Sequence, residues 1–204
     1  MKRRDLMAGL GAVAAWPAAA QTPAAPAAAV ATPVRVEMIT AAGRIVNDLA
    51  VDKAPLTTAN FLRYVDRKLY DRGAFFRASR VRGAPEYGLI EGGLQGIGVL
   101  KPVAHESTAV TGLKHLDGTI SLARGAPGTG TSDFFICVGP AASLDADPAN
   151  PAANPGFAAL GQVVEGLETV RAILALPTPG KAINPVMQGE ILAPTVPFKI
   201  RRVV

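Results

Sequence analysis

Few side chains in this sequence are of the types that combine to do covalent or acid–base chemistry. His105 and His115 are its two histidines, Cys137 is its one cysteine, and Ser132 lies in Gly130-Thr131-Ser132-Asp133-Phe134. His105-Glu106 does not open an HExxH zinc motif, because Ala109 stands where the second histidine belongs. The serine segment starts like a strained nucleophile turn and lacks its second glycine. A single cysteine forms no internal disulfide, and inside the apolar run Phe134–Val138 it reads as a small buried hydrophobe. Asp145 and Asp147, among Pro148, Asn150 and Pro151, lack the glycine and late glutamate of a calcium loop. Turn chemistry accounts for them. The glycine-rich stretches 92–98 and 125–130 contain neither GxGxxG nor GxxxxGK followed by Ser or Thr, so no loop is offered to a nucleotide phosphate.

The elements that must position any site are legible in outline. Val34–Thr40 alternates at period two and predicts a strand; Ala41-Ala42-Gly43 turns it into a second strand at 44–49. Pro55 opens a helix to about residue 68, because the proline N–H is not needed in a first turn. Phe61, Leu62, Val65 and Leu69 share one face of it. Short apolar runs at 74–76, 87–90, 119–123 and Phe134–Val138, separated by glycines, predict a barrel or a sandwich. A second helix is expected at about 166–176, stopped by Pro177 and Pro179, and a closing strand at 198–203. The sum is one β-rich domain with two helices over 34–204.

One ordered series of segments carries more. Asp52-Lys53-Ala54-Pro55, Asn60-Phe61-Leu62, Leu69-Tyr70-Asp71, Phe75-Phe76-Arg77, Glu91-Gly92-Gly93, Gly118 to Arg124, Ser132-Asp133-Phe134-Phe135-Ile136 and Leu160 to Gly166 follow one another at fitting spacings. Together they resemble the cyclophilin family of peptidyl-prolyl cis-trans isomerases, over nearly all of 34–203. The resemblance implies an all-β fold, a closed eight-stranded antiparallel barrel capped by two α-helices. It also implies cis/trans isomerisation of X–Pro bonds in proline-containing polypeptides, without a cofactor.

It further implies the site. Arg77 matches the family's catalytic arginine and Phe135 its proline-pocket phenylalanine. Leu89 matches an apolar pocket position. Ala123, Arg124 and Gly125 match the backbone ledge that receives the peptide, and Leu144 matches a further groove position. Several residues differ from the family's usual ones: Glu91 and Asp133 each stand for a glutamine, Phe76 for a histidine, Gly88 for a pocket phenylalanine and Ser143 for a tryptophan. Phe157 stands where the pocket histidine is usual. The physical role of the arginine is plain. Resonance sets the barrier to X–Pro rotation near ~18–20 kcal/mol. A fixed guanidinium donating to the prolyl nitrogen draws its lone pair out of resonance. Acceleration of about 10⁵-fold requires about 7 kcal/mol of that barrier. Beside Arg77, Glu91 is expected to be ionised, its pKa lowered by the opposite charge. An alternative function is a catalytically weak module of the same fold that binds proline-containing segments.

Composition agrees with a folded domain. Of 204 residues, 49% are hydrophobic and 18% charged, which excludes a disordered chain. The net charge is +5, but part of it comes from Lys2, Arg3 and Arg4, and no dense basic run follows. No nucleic-acid partner is implied, and a monomer is expected. The basic start, the apolar stretch 6–20 and Ala18-Ala19-Ala20 fit a cleavable signal. Its length falls short of the ~20 residues of a membrane span, so no permanent span should survive cleavage. Arg3-Arg4-Asp5-Leu6-Met7 resembles a twin-arginine export signal. Residues 21–33 form a Pro/Ala linker. A periplasmic or secreted protein is the expectation.

Overall fold

The computed structural model describes residues 33–203; the expected signal segment 1–20, and the linker up to residue 32, lie outside the described residues. Eight strands close into an antiparallel barrel: β1 Val34–Thr40, β2 Gly43–Leu49, β3 Ala74–Val81, β4 Ala84–Gly93, β5 Thr119–Leu122, β6 Phe134–Val138, β7 Ala158–Glu165 and β8 Ile191–Arg202. Their order around the barrel is β1-β2-β7-β5-β6-β4-β3-β8. Closure removes the exposed edges that an open sheet would offer for pairing. Helix α1 (Pro55–Asp66) packs against β7 and β8. A single turn α2 (Thr108–Thr111) follows, and α3 (Leu167–Leu174) packs against β2, β3, β4 and β6. Among the described residues no helix is long and apolar enough to cross a membrane.

Side chains alternate along each strand, and the inward set fills the barrel. Val36, Met38, Ile45, Phe75, Ile90, Ile120, Phe134, Ile136, Phe198 and Ile200 are all buried there. Phe134 meets Phe75 and Tyr70 edge-on, at 6.0 and 5.8 Å between ring centroids, a geometry that aromatic quadrupoles favour. Gly92 is small because a Cβ there would come within 2.8 Å of the Phe75 ring and 2.9 Å of the Phe198 ring. Gly93 has φ +149°, and its Cβ would collide with Asp133.

The structure extends several sequence-based boundaries. The apolar run at 74–76 is the start of an eight-residue strand, which turns directly into β4 as a hairpin. β7 begins Ala-Ala-Leu-Gly, which shows no alternation to read. β8 starts seven residues before Phe198, through Pro194 and Pro197, which argue against a strand in sequence alone. Helix α1 has no side-chain cap from Ala54. Instead Glu106, far along the chain, accepts from Leu56 N–H at 3.1 Å and from Thr57 N–H at 2.6 Å. That places a carboxylate at the positive end of the helix.

Candidate active site

The site lies on the outer face of the barrel, and a β-bulge puts its arginine there. Phe75 pairs with Gly92 and Arg77 with Glu91, leaving Phe76 as the extra residue of β3. The register against β8 breaks at the same place, but there the extra residues belong to β8: Phe75 pairs with Val196 and Arg77 with Ile191. Strict alternation would send Phe75 and Arg77 to the same side. With the bulge, Phe75 and Ala78 point into the core and Arg77 points out. Glu91, next to inward Ile90, points out as well, and Phe135, next to inward Phe134 and Ile136, does the same. Register then aligns a row across four strands: Arg77 opposite Glu91, Glu91 opposite Phe135, Phe135 opposite Ser121.

A cavity of about 270 Å³ opens along this row. Arg77, Leu89, Glu91, Ala123, Arg124, Phe135, Leu144 and Phe157, all singled out in the sequence, line it. Leu144 and Phe157 flank the long insert 145–156 and are brought together by the Phe157 N–H donating to the Leu144 carbonyl at 2.8 Å. Two expected residues are not in the lining. Gly125 lies exposed in the loop after Arg124. Asp133 turns its carboxylate to the backbone after β4, accepting from Leu94 N–H at 2.8 Å and Gln95 N–H at 3.0 Å. Sequence reasoning missed Met187, which completes the lining from the turn Pro185–Met187. It also missed Glu190, which reaches Arg77 from just before β8. Neither lies in a recognisable motif, and only tertiary closure of β3 on β8 brings them in.

At the polar end, Arg77 is held from two sides. Its Nη1 donates to Glu91 Oε2 at 2.7 Å, and its Nε donates to Glu190 Oε2 at 2.7 Å. Nη2 lies 2.7 Å from that same Glu190 oxygen, and Ser79 Oγ donates to the other one at 2.8 Å. The side chains of Arg77 and Glu91 are only 18% and 12% exposed. Burial acts to lower the Arg77 pKa, yet the two carboxylates outweigh it and the guanidinium is held charged. Glu91 differs from the expectation. Burial, aided by the negative charges of Asp133 and Glu190, outweighs Arg77 and raises the Glu91 carboxyl above its ordinary value. The sequence shows the partner charge; it does not show that Glu91 is desolvated.

At the apolar end, Phe135 is sandwiched. Phe157 meets it edge-on at 5.4 Å, and His115 stacks on it at 5.8 Å with the planes 19° apart. The His115 ring is itself fixed. Nδ1–H donates to Asp145 at 2.7 Å, and Nε2 accepts from Ser121 Oγ at 2.9 Å, the tautomer that suits a carboxylate on one side and a hydroxyl on the other. Burial lowers the His115 pKa despite Asp145, so the ring stays neutral. Ser121 is fully buried, so this serine–histidine–aspartate chain has no access to a substrate and serves as a strut behind Phe135. Arg124 stands 4.8 Å over the Phe157 ring and donates to the Gly125 and Gly156 carbonyls, tying the ledge to the insert. Cys137 is buried, with its thiol pushed up to about 12 by desolvation, as suits an inert hydrophobe. Among the described residues no group of three or more His, Cys, Asp or Glu could hold a metal ion.

Comparison with known proteins agrees with this architecture. The family model for cyclophilin type peptidyl-prolyl cis-trans isomerases matches residues 35–195. The chain is 36% identical over 149 residues to a peptidyl-prolyl cis-trans isomerase of Streptomyces antibioticus, covering 70% of this chain and 84% of that one. It is 35% identical over 161 residues to peptidyl-prolyl cis-trans isomerase A of Dickeya dadantii, covering 75% and 77%. In fold it is similar to the crystal structure of a cyclophilin type isomerase of Cryptosporidium parvum, with a TM-score of 0.66 at 18% identity, covering 85% of this chain and 99% of that one. Barrel order, family model and relatives converge: the chain belongs to the cyclophilin-type peptidyl-prolyl cis-trans isomerases, and isomerisation of X–Pro bonds is its activity.

Proposed function

We propose that this isomerase works through Arg77, with the proline ring of the substrate seated on Phe135. The observation that carries the reading is the single cavity in which Arg77 and Phe135 stand at opposite ends. As the X–Pro bond turns, the nitrogen becomes pyramidal and its lone pair localises. A guanidinium has five N–H donors. After the contacts to Glu91 and Glu190, Nη1 and Nη2 each keep one N–H for the prolyl nitrogen. The apolar wall of Leu89, Ala123, Leu144, Phe157 and Met187 keeps water from competing, which strengthens that bond in the transition state. The carboxylates fix the fork before substrate arrives, so little reorganisation is needed.

The substrates in this reading are proline-containing segments of exported proteins, whose folding in the bacterial envelope the enzyme assists as a monomer. The basic start, short apolar stretch and alanine triplet of residues 1–20 support export, and Arg3-Arg4 supports the twin-arginine route. One observation favours a second reading, a holding module with slow exchange: two carboxylates face one guanidinium, so the group is negative overall when both are ionised. Isomer exchange on Xaa-Pro peptides, read by NMR, separates the two. Exchange well above the uncatalysed rate supports the enzyme, and binding without exchange supports the module. N-terminal sequencing of the protein from the periplasm tests export: a mature chain beginning near Gln21 is expected, and one beginning at Met1 would sink the export reading.

A further inference from the structure

A second cavity, of about 220 Å³, adjoins the first. The two share Leu89 and Leu144 as a common wall. The rest of the second cavity comes from the outer ends of β3 and β4 and from the turn that follows β6. Tyr87, half exposed, lies against Gly139, where a Cβ would collide with its ring. Val138, Pro140 and Ala141 continue the apolar lining, and the exposed Ser143 stands at the rim. Ser79 and two nitrogens of Arg80 are already committed within the protein. Ser79 Oγ donates to Glu190 at 2.8 Å, and Arg80 donates from Nε to the Leu174 carbonyl at 2.8 Å and from Nη2 to the Leu176 carbonyl. What the cavity offers a ligand is therefore an apolar socket with one aromatic wall.

We infer that this socket is a second substrate subsite, which receives a large apolar side chain of the same polypeptide whose proline occupies the first cavity. The inference rests on the isomerase reading for the seat of the proline. The common wall sets the spacing. In an extended chain, side chains two residues apart point the same way at about 7 Å, so cavities separated by one layer of leucine side chains fit residues close together on one strand. An aromatic or branched aliphatic residue within two positions of the proline buries its side chain there. A lysine or arginine finds no carboxylate in the lining, meets Arg80 and loses its hydration. The subsite thus makes the enzyme selective for prolines with a bulky apolar neighbour.

The test uses peptides of one Ala-Pro core in which each position within two residues of the proline is, in turn, alanine or phenylalanine. Exchange by NMR gives kcat/KM, and chemical-shift titration gives Kd. The expected result is a preference for phenylalanine of about tenfold at one of these positions, the usual return for filling an apolar pocket. Ser143→Trp puts an indole at the rim of the socket and should bring that ratio close to one. Tyr87→Ala removes the aromatic wall from a half-exposed position and should reduce it too. A ratio near one at every position in the unaltered protein overturns the inference. So does a ratio that survives Ser143→Trp and Tyr87→Ala intact. If no peptide exchanges yet the Kd ratios behave as described, the subsite stands and it is the catalytic reading that falls.

Discussion

At one end of the cavity a guanidinium and two carboxylates are withdrawn from water together; at the other, Phe135 lies between His115 and Phe157 with no net charge. The polar end gains attraction and loses hydration, two large terms that nearly cancel. Its net effect shows in Glu91, which is harder to ionise than an ordinary glutamate although it touches an arginine. Around Phe135 itself ring contacts and burial act in the same direction, and the one desolvated cation at this end, Arg124, lies over Phe157. Stability in this site therefore comes from the aromatic end, and the polar end is held in place by it for the sake of a fixed donor.

That contrast can be broken from either side. The largest effect is expected for Phe135→Ala. The residue is only 3% exposed, and removing a buried ring costs about 3 kcal/mol or more. Thermal unfolding should show a drop of roughly 10 °C for a domain of this size, and peptide binding should weaken with it. A drop of only one or two degrees would show that the ring is not part of the packed structure.

Arg77→Ala tests the other end. From sequence, a groove-lining arginine looks dispensable to the fold. In the structure its removal leaves Glu91 and Glu190 facing each other with no cation, which costs about 3 kcal/mol for a broken buried pair. The combined variant Arg77→Ala, Glu91→Gln, Glu190→Gln should recover most of that loss, because no charge is left behind. If the single and combined variants unfold at the same temperature, the carboxylates do not act through Arg77.

Glu91→Gln is a smaller and sign-specific test. A carboxyl whose folded pKa is raised contributes most stability below its unfolded pKa, near 4.5, and loses it as pH rises through the folded value. The glutamine variant has nothing to lose. Urea unfolding should therefore show the variant gaining on the unaltered protein between pH 4 and pH 7. Its exchange rate should also rise a few-fold, because Arg77 is then opposed by one carboxylate instead of two. A variant that falls behind as pH rises would mean that Arg77 dominates Glu91 after all.

The smallest effect concerns the strut. The His115 pKa is lowered by burial, so its contribution is complete above the unfolded value of 6.5 and is lost as pH falls below it. Unfolding free energy should decline by no more than about 1 kcal/mol per pH unit just below 6.5, since a single proton is involved. The same measurement on His115→Gln should give a flatter profile in that range; an unchanged slope would remove His115 from the account.

How much of this was legible in the sequence follows from which contacts are local. The alternation of Val34–Thr40 and the single apolar face after Pro55 gave β1 and α1 at their observed places. The family resemblance gave barrel closure, and eight of its ten site residues line one cavity. The bulge at Phe76 was not legible, because it depends on two neighbouring strands at once. Glu190 and Met187 were missed because a loop side chain becomes part of a site only when the chain folds back over a hundred residues. Asp133 was placed in the groove because it stands beside Phe135 in sequence; in the structure its carboxylate caps the turn after β4. The sign of the Glu91 shift needed its burial, which no pattern of neighbours along the chain reveals.

The central claim is that exchange runs through the Arg77 fork. The direct measurement is NMR isomer exchange on one Xaa-Pro peptide with the unaltered protein, with Arg77→Lys, and with the combined variant Arg77→Ala, Glu91→Gln, Glu190→Gln, each first shown to be folded. Lysine keeps the charge but loses the planar fork. Both altered proteins should exchange the peptide about a hundredfold more slowly, the loss expected when a preorganised transition-state donor is removed. Equal rates in all three would contradict the account.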